Sequence, residues 1–244
     1  MFDLLLDWDL DGIARHLSGG RSQTFEVYRD HMWRILSQGT IDTLYMVAWA
    51  SLFAIILGLI LGMILYITKP GGIFPLKIFN WTLGIIINIG RSIPFVIMIM
   101  VLFPLARIII GTSIGRTAAV VPLTIAAVPF MSRVIEAALN ELGHGIIEAA
   151  VSAGANIRQI IFKVIIPEAA PGLVSGFTLL IINLVTFSAM AGMVGGGGLG
   201  HVANSYGYQR NRTDILVYTL ILLVIIVQII QAVGQYISKR LDKR

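Results

Sequence analysis

Apolar and polar positions alternate in long blocks along the 244-residue chain. Five apolar blocks reach the ~20 residues that a helix needs to cross a bilayer: 41–66, 79–106, 117–140, 168–192 and 215–236. They predict an all-α integral membrane protein with five transmembrane helices. The second block is interrupted by Arg91-Ser92-Ile93-Pro94. Proline removes a backbone donor and disfavours the helical conformation in the residue before it, so a kink is expected there, with the membrane start of this span as late as Ile93. Two segments are too polar to span: residues 1–38, with six acids and four arginines, and 141–167, between the third and fourth spans. The expected division is a polar tail, 1–38, and a transmembrane domain, 39–244.

Within the tail, Phe25, Tyr28, Met32, Ile35 and Leu36 recur at helical spacing and Gly39 follows as a stop. This predicts an amphipathic helix lying either on the membrane surface or against its own protein. Asp3, Asp7, Asp9 and Asp11 stand where a secretion signal carries basic residues, so the tail is expected to stay on the mature protein. Inside the spans, Gly58/Gly62 and Gly172/Gly176 set small residues four apart, a helix-packing signature.

Composition changes the picture by exclusion. Apolar residues make up 57% and charged residues 13%, where an ordinary soluble domain has about 25% charged. Mean hydropathy is +0.85. With no cysteine, disulfides and thiolate metal sites are excluded, and His16, His31, His144 and His201 are scattered singly, so no metal site is expected. The net charge of +5 sits in short polar segments without interleaved aromatics, which argues for membrane topology rather than nucleic-acid binding. An odd number of spans places the termini on opposite sides. The C-terminal SKRLDKR, with Lys239, Arg240, Lys243 and Arg244, reads as cytoplasmic and the N-terminus as outside. That orientation puts Lys69, Lys77 and Lys163 in the cytoplasm, while Arg107, Arg116, Arg210 and Arg212 fall outside.

The segment 141–167 carries the most specific signal. Glu148-Ala149-Ala150 is followed after three residues by Gly154, and then by Val164, Ile166 and Pro167. The spelling is EAA, three residues, G, nine residues, I-x-L-P, with Val164 for Ile and Ile166 for Leu. It predicts a short surface helix whose Ala149, Ala150, Ala153 and Ala155 let another protein approach closely, broken or thinned at Gly154, with Pro167 in the first turn of the fourth span. This pattern resembles the cytoplasmic coupling loop of binding-protein-dependent ABC importer permeases. The resemblance implies the type I importer permease fold, with a coupling helix between spans 3 and 4. It also implies that Glu148, Ala149, Ala150, Gly154, Ala155, Ile166 and Pro167 dock on an ATPase subunit.

ATP and Mg2+ are then expected on a separate partner, because no G-x-x-x-x-G-K-[ST] loop occurs in the chain. Gly195, Gly197 and Gly200 of GGGGLG satisfy G-x-G-x-x-G, but they follow a membrane helix rather than a strand, and they read as a flexible outer turn near the pore.

RSIPF at 91–95, GTSIG at 111–115, VPLT at 121–124, PEA at 167–169, SAM at 188–190, GGLG at 197–200 and YGY at 206–208 extend the likeness over most of 40–237. Together they resemble the permeases of methionine importers. That branch implies a homodimer in the bacterial inner membrane, two ATPase subunits, a methionine-binding protein, and uptake of L-methionine and often D-methionine. Other amino acids or small nutrients stay open as substrates.

The residues suggest where a pathway runs. Asn183, Thr186, Ser188 and Met190 lie in the outer half of the fourth span, where polar groups do better facing a pore or a neighbouring helix than lipid. Met190 is polarizable and suits either a gate shared by two copies or plain packing. Arg133 and Glu136, three apart in the third span, are expected to pair structurally, with a proton relay as the sharper alternative. Gln228, Gln231 and Gln235 form a polar stripe in the fifth span, read as interfacial hydrogen bonding rather than substrate selection. A self-sufficient secondary carrier would need more ionisable residues at mid-membrane, and a membrane enzyme would need a convergent acid, base or metal set, so both rank below an importer subunit.

Overall fold

A computed structural model describes residues 21–242, with the side chains of 21–29 and of His144 outside the description. The chain divides into two units between Gln38 and Gly39. Among the described residues the ordered elements are helical: α1 (Arg21–Thr68), α2 (Lys77–Ser92), α3 (Phe95–Ile110), α4 (Arg116–Asn140), the short α5 (His144–Ser152), α6 (Ile157–Gly196), the five-residue α7 (Gly198–Val202) and α8 (Thr213–Leu241). Four of these, α1, α4, α6 and α8, are long and apolar enough to cross a membrane alone.

The fifth crossing is shared. At Ser92-Ile93-Pro94 the chain turns through 103° between α2 and α3. Each arm has 16 residues, about 24 Å, which is short of the ~30 Å hydrocarbon core. Two such arms at this angle separate their far ends by about 30 Å, enough for one crossing. The sequence anticipated a kink; the structure makes it a full corner, because Pro94 has no N–H to donate and Ile93 is forced extended (φ −79°, ψ 125°).

Cross-links between helices define two ends. At one, Lys69 Nζ donates to Asn140 Oδ1, and Ser238 Oγ donates to the Pro171 carbonyl at 3.0 Å. At the other, Arg116 pairs with Asp42 at 2.7 Å and stands 4.8 Å over the Tyr45 ring, while Gly115 N–H donates to Gly195 O. The α4 helix lies at the centre, with Leu123, Ala127, Met131 and Ile135 at 0–1% exposure. Its small residues and those of its neighbours permit this. A Cβ on Gly58 would come within 2.6 Å of Met131, and one on Gly62 within 2.7 Å of the Ser132 carbonyl. Four hydroxyls inside the spans are satisfied by their own helix: Thr68, Ser132, Thr178 and Thr219 each donate to the carbonyl four residues back, removing the cost of a bare polar group in lipid; the buried Thr124 hydroxyl has no such partner among the described residues.

Three expectations are corrected. Gly39 does not stop a helix, since α1 continues through it to Thr68; the missing side chain instead allows close contact, as a Cβ there would sit 2.8 Å from Val202 Cγ2. Met32 and Leu36 are buried and Ile35 half-buried, while residues 1–20 and the side chains of Phe25 and Tyr28 lie outside the described residues. Pro167 stands in the first turn of the α-helical stretch Ile166–Ala191, as expected, but the fourth span does not begin there. The α6 helix begins at Ile157 and widens into a π-helical stretch over Ile160–Ile165, where Ile166 N–H reaches back to Ile161 O. That wider turn absorbs the donor proline lacks. Finally, GGGGLG is no open, flexible turn: Gly192, Gly196, Gly198, Leu199 and Gly200 are buried.

Candidate functional site

The polar segment between α4 and α6 is built from local rules. Helix α5 ends in a left-handed residue, Gly154 at φ +76°. Ala155 N–H then bonds Ala150 O at 3.1 Å and Gly154 N–H bonds Val151 O at 2.9 Å, the Schellman pattern that closes a helix C-terminus. Two residues later Asn156 accepts from Gln159 N–H at 2.9 Å, and the Gln159 side chain accepts from Asn156 N–H at 2.9 Å, a capping box that starts α6. The sharp reversal is therefore fixed by three side-chain choices, Gly154, Asn156 and Gln159. The last two escaped sequence reading, although N-x-x-Q before an apolar run was a legible start signal.

This helix and turn have two faces. Ile147, Ala150 and Ala155 are half-buried and pack on the core. Glu148, Ala149, Ala153 and Gly154 are exposed, together with Ile146, Val151 and Ile157 at 37%, 55% and 48%. A Cβ on Gly143, Gly145 or Gly154 would meet nothing within 4 Å. The outer face is thus small, partly apolar and open, which is chemistry suited to a protein partner rather than to water alone. Ile166 is half-buried and Pro167 exposed at the far end of the segment.

Of the four residues singled out in the fourth span, three share a face. Asn183 and Met190 are half-buried, and Thr186, between them in helical register, is exposed. Ser188 points elsewhere: it is buried and donates to the Val185 carbonyl at 2.7 Å within its own helix. Thr186 borders a groove of about 280 Å³ between α6 and α8 that Val185, Ala189, Leu223, Val224, Val227 and Gln228 complete. Behind this face, Phe187 stacks on Phe95 of α3 at 4.2 Å between ring centroids, tying the corner of the broken span to α6.

Arg133 and Glu136 are ion-paired at 2.6 Å and largely buried. Arg133 also donates to the Gly84 carbonyl of α2 at 2.9 Å, leaving its Nε without a partner. The pair thus clamps α2 to α4. Just outside the spans, burial lowers the Lys69 pKa, and Glu136 partly offsets this.

The family model for binding-protein-dependent transport system inner membrane components matches residues 54–244, which includes this whole segment. The chain belongs to that family. Within it, the chain is 47% identical over 210 residues to the probable D-methionine transport system permease MetI of Vibrio cholerae, covering 86% of this chain and 93% of the relative. It is 43% identical over 209 residues to the methionine import system permease MetP of Bacillus subtilis, covering 86% and 94%. A solved chain from the inward-facing MetNI methionine ABC transporter superposes with a TM-score of 0.86 at 43% identity, covering 87% of this chain and 98% of that one. An amino acid ABC transporter chain at 18% identity and TM-score 0.71 shares the fold.

Proposed function

We propose that this chain is the membrane-spanning permease subunit of an ATP-binding-cassette importer for methionine, the L form and the D form, acting as a homodimer in the bacterial inner membrane. The observation that carries this reading is the exposed α5 helix and its Gly154 turn, the surface left open to a partner on a chain otherwise committed to the bilayer. Relatives named for methionine transport over nearly their full length support the substrate.

In this reading one ATPase docks on each copy, contacting Glu148, Ala149 and Gly154, with Ala150 and Ala155 anchoring the helix to the permease body. Ile166 and Pro167, beyond the π-helical stretch, pass the movement into α6. The ATPases hold the ATP and Mg2+, and a binding protein delivers methionine at the opposite end. The lysines at 69, 77, 163, 239 and 243 of the sequence support a cytoplasmic docking end, with the C-terminus inside and the N-terminus outside. Asn183, Thr186 and Met190 of α6 face the pathway, and the Met190 thioether of each copy narrows it. Ser188 is assigned to the helix interior beside it, and Arg133 with Glu136 to holding α2 against α4.

The test is ATP-driven uptake of labelled methionine by liposomes holding this chain, its ATPase and its binding protein, compared with Gly154→Asp. Aspartate tolerates the left-handed backbone better than most residues, so the variant alters the docking surface while sparing the turn. Uptake lost from an assembled variant is expected. An ATP-hydrolysing native complex that moves no methionine overturns the substrate, and unchanged uptake by the variant overturns the coupling route.

A further inference from the structure

Helix α8 is the least buried of the long helices, with 11% of its most apolar window inside the molecule against 61% for α4. Its inner face is explained by Ile215, Thr219, Ile226 and Gly234, which pack on the rest of the chain, Gly234 directly against Thr178 of α6. The opposite face carries a second pattern. Val217, Ile221, Val224, Gln228, Gln231 and Gln235 follow one another at spacings of four, three, four, three and four, and all six are exposed. This alternation of four and three is that of a seam between two helices in a left-handed crossing.

Val217, Ile221 and Val224 would be at ease in lipid. The glutamines would not. Among the described residues none of the three finds a hydrogen-bond partner, and an unpartnered amide in hydrocarbon costs several kcal/mol. Each primary amide holds two donors and an acceptor, so a glutamine stripe is complementary to a copy of itself. A two-fold axis along the membrane normal sets two parallel helices with equal residues facing each other, which pairs each glutamine with its own counterpart. The groove beside Gln228, between α6 and α8, remains open in the single chain and lies next to this seam.

We infer that the α8 seam is a subunit contact, in which Gln228, Gln231 and Gln235 hydrogen-bond to the same residues of a second copy. The inference rests on the homodimer proposed above and adds to it where the copies meet and what fixes their register. Apolar residues supply contact area in the half near Val217, and amides set the alignment in the half near Gln235.

The chain contains no cysteine, so single cysteines report cleanly. Q228C, Q231C and Q235C, each in the assembled complex with its ATPase in native membranes, are oxidised with copper phenanthroline and compared with Ile229→Cys and Val233→Cys, exposed on a neighbouring stripe of the same helix. Disulfide-linked dimers several-fold more abundant at the three glutamine positions than at the controls are expected. No dimer at those positions, with rapid modification by a membrane-impermeant maleimide, places the stripe on a water-filled wall and overturns the inference. No dimer and modification only by a lipid-soluble reagent places it in lipid and overturns it too. Should Q231C fail to assemble, Q228C and Q235C, one turn to either side, carry the same test. Methionine uptake by the unaltered complex is read separately, so loss of the substrate reading leaves the contact standing, and the reverse.

Discussion

Two glycine-rich regions at different ends of the molecule use the same residue in opposite ways. Around α5, a side chain added at Gly143, Gly145 or Gly154 would enter empty space. Between Gly192 and Gly200, four of the six glycines, Gly192, Gly196, Gly198 and Gly200, are hemmed in. A Cβ on Gly198 would stand 2.6 Å from Thr43 Oγ1, one on Gly192 would stand 2.6 Å from the Gly197 carbonyl, and one on Gly200 would overlap the Ala189 carbonyl. Leu199 N–H donates to Thr43 Oγ1 at 2.8 Å in the gap so created. One region leaves its glycines open to the outside, and the other uses most of them to let its own chain pack closely. Exposure separates an open surface from a packed turn where spelling alone does not.

Substitutions break this contrast in a definite order. Gly200→Ala has nowhere to put a methyl and should cost about 3 kcal/mol or more by overpacking, read as a lower melting temperature and poor recovery of monodisperse protein. Gly154→Ala meets no atom but must hold φ +76°, costing about 1–2 kcal/mol; thermal melting should fall less than for Gly200→Ala, and Gly154→Asn should recover most of the loss. Asn156→Ala removes the cap of α6 and should cost about 1 kcal/mol, seen as faster hydrogen exchange at the Gln159 amide. Gly145→Ala should change stability by about 0.5 kcal/mol or less while weakening retention of the ATPase on an affinity column. Equal losses from Gly145→Ala and Gly200→Ala would dissolve the distinction between the two regions.

Most of the architecture was legible because a bilayer imposes length and polarity on every crossing. The windows at 117–140 and 215–236 fall within α4 and α8, and the Arg91–Pro94 interruption marks the corner between α2 and α3. The misreadings occurred where a residue with two physical uses was given the wrong one. Gly39 is helix punctuation in isolation, yet it sits mid-helix for its small size. Ser188 looked like a pathway residue beside Met190, but its hydroxyl is spent on Val185 O.

The sequence by itself determined that the chain lives in a membrane, where its spans fall, and that 148–167 carries a family signature, because hydropathy and short motifs are properties of neighbours along the chain. Only the tertiary structure decided which glycines are crowded, that Arg133 reaches across to Gly84, and that the α8 glutamines face away from their own subunit. Those are relations between residues far apart in sequence, set by how side-chain volumes and unsatisfied polar groups distribute once the helices pack, and local patterning does not encode them.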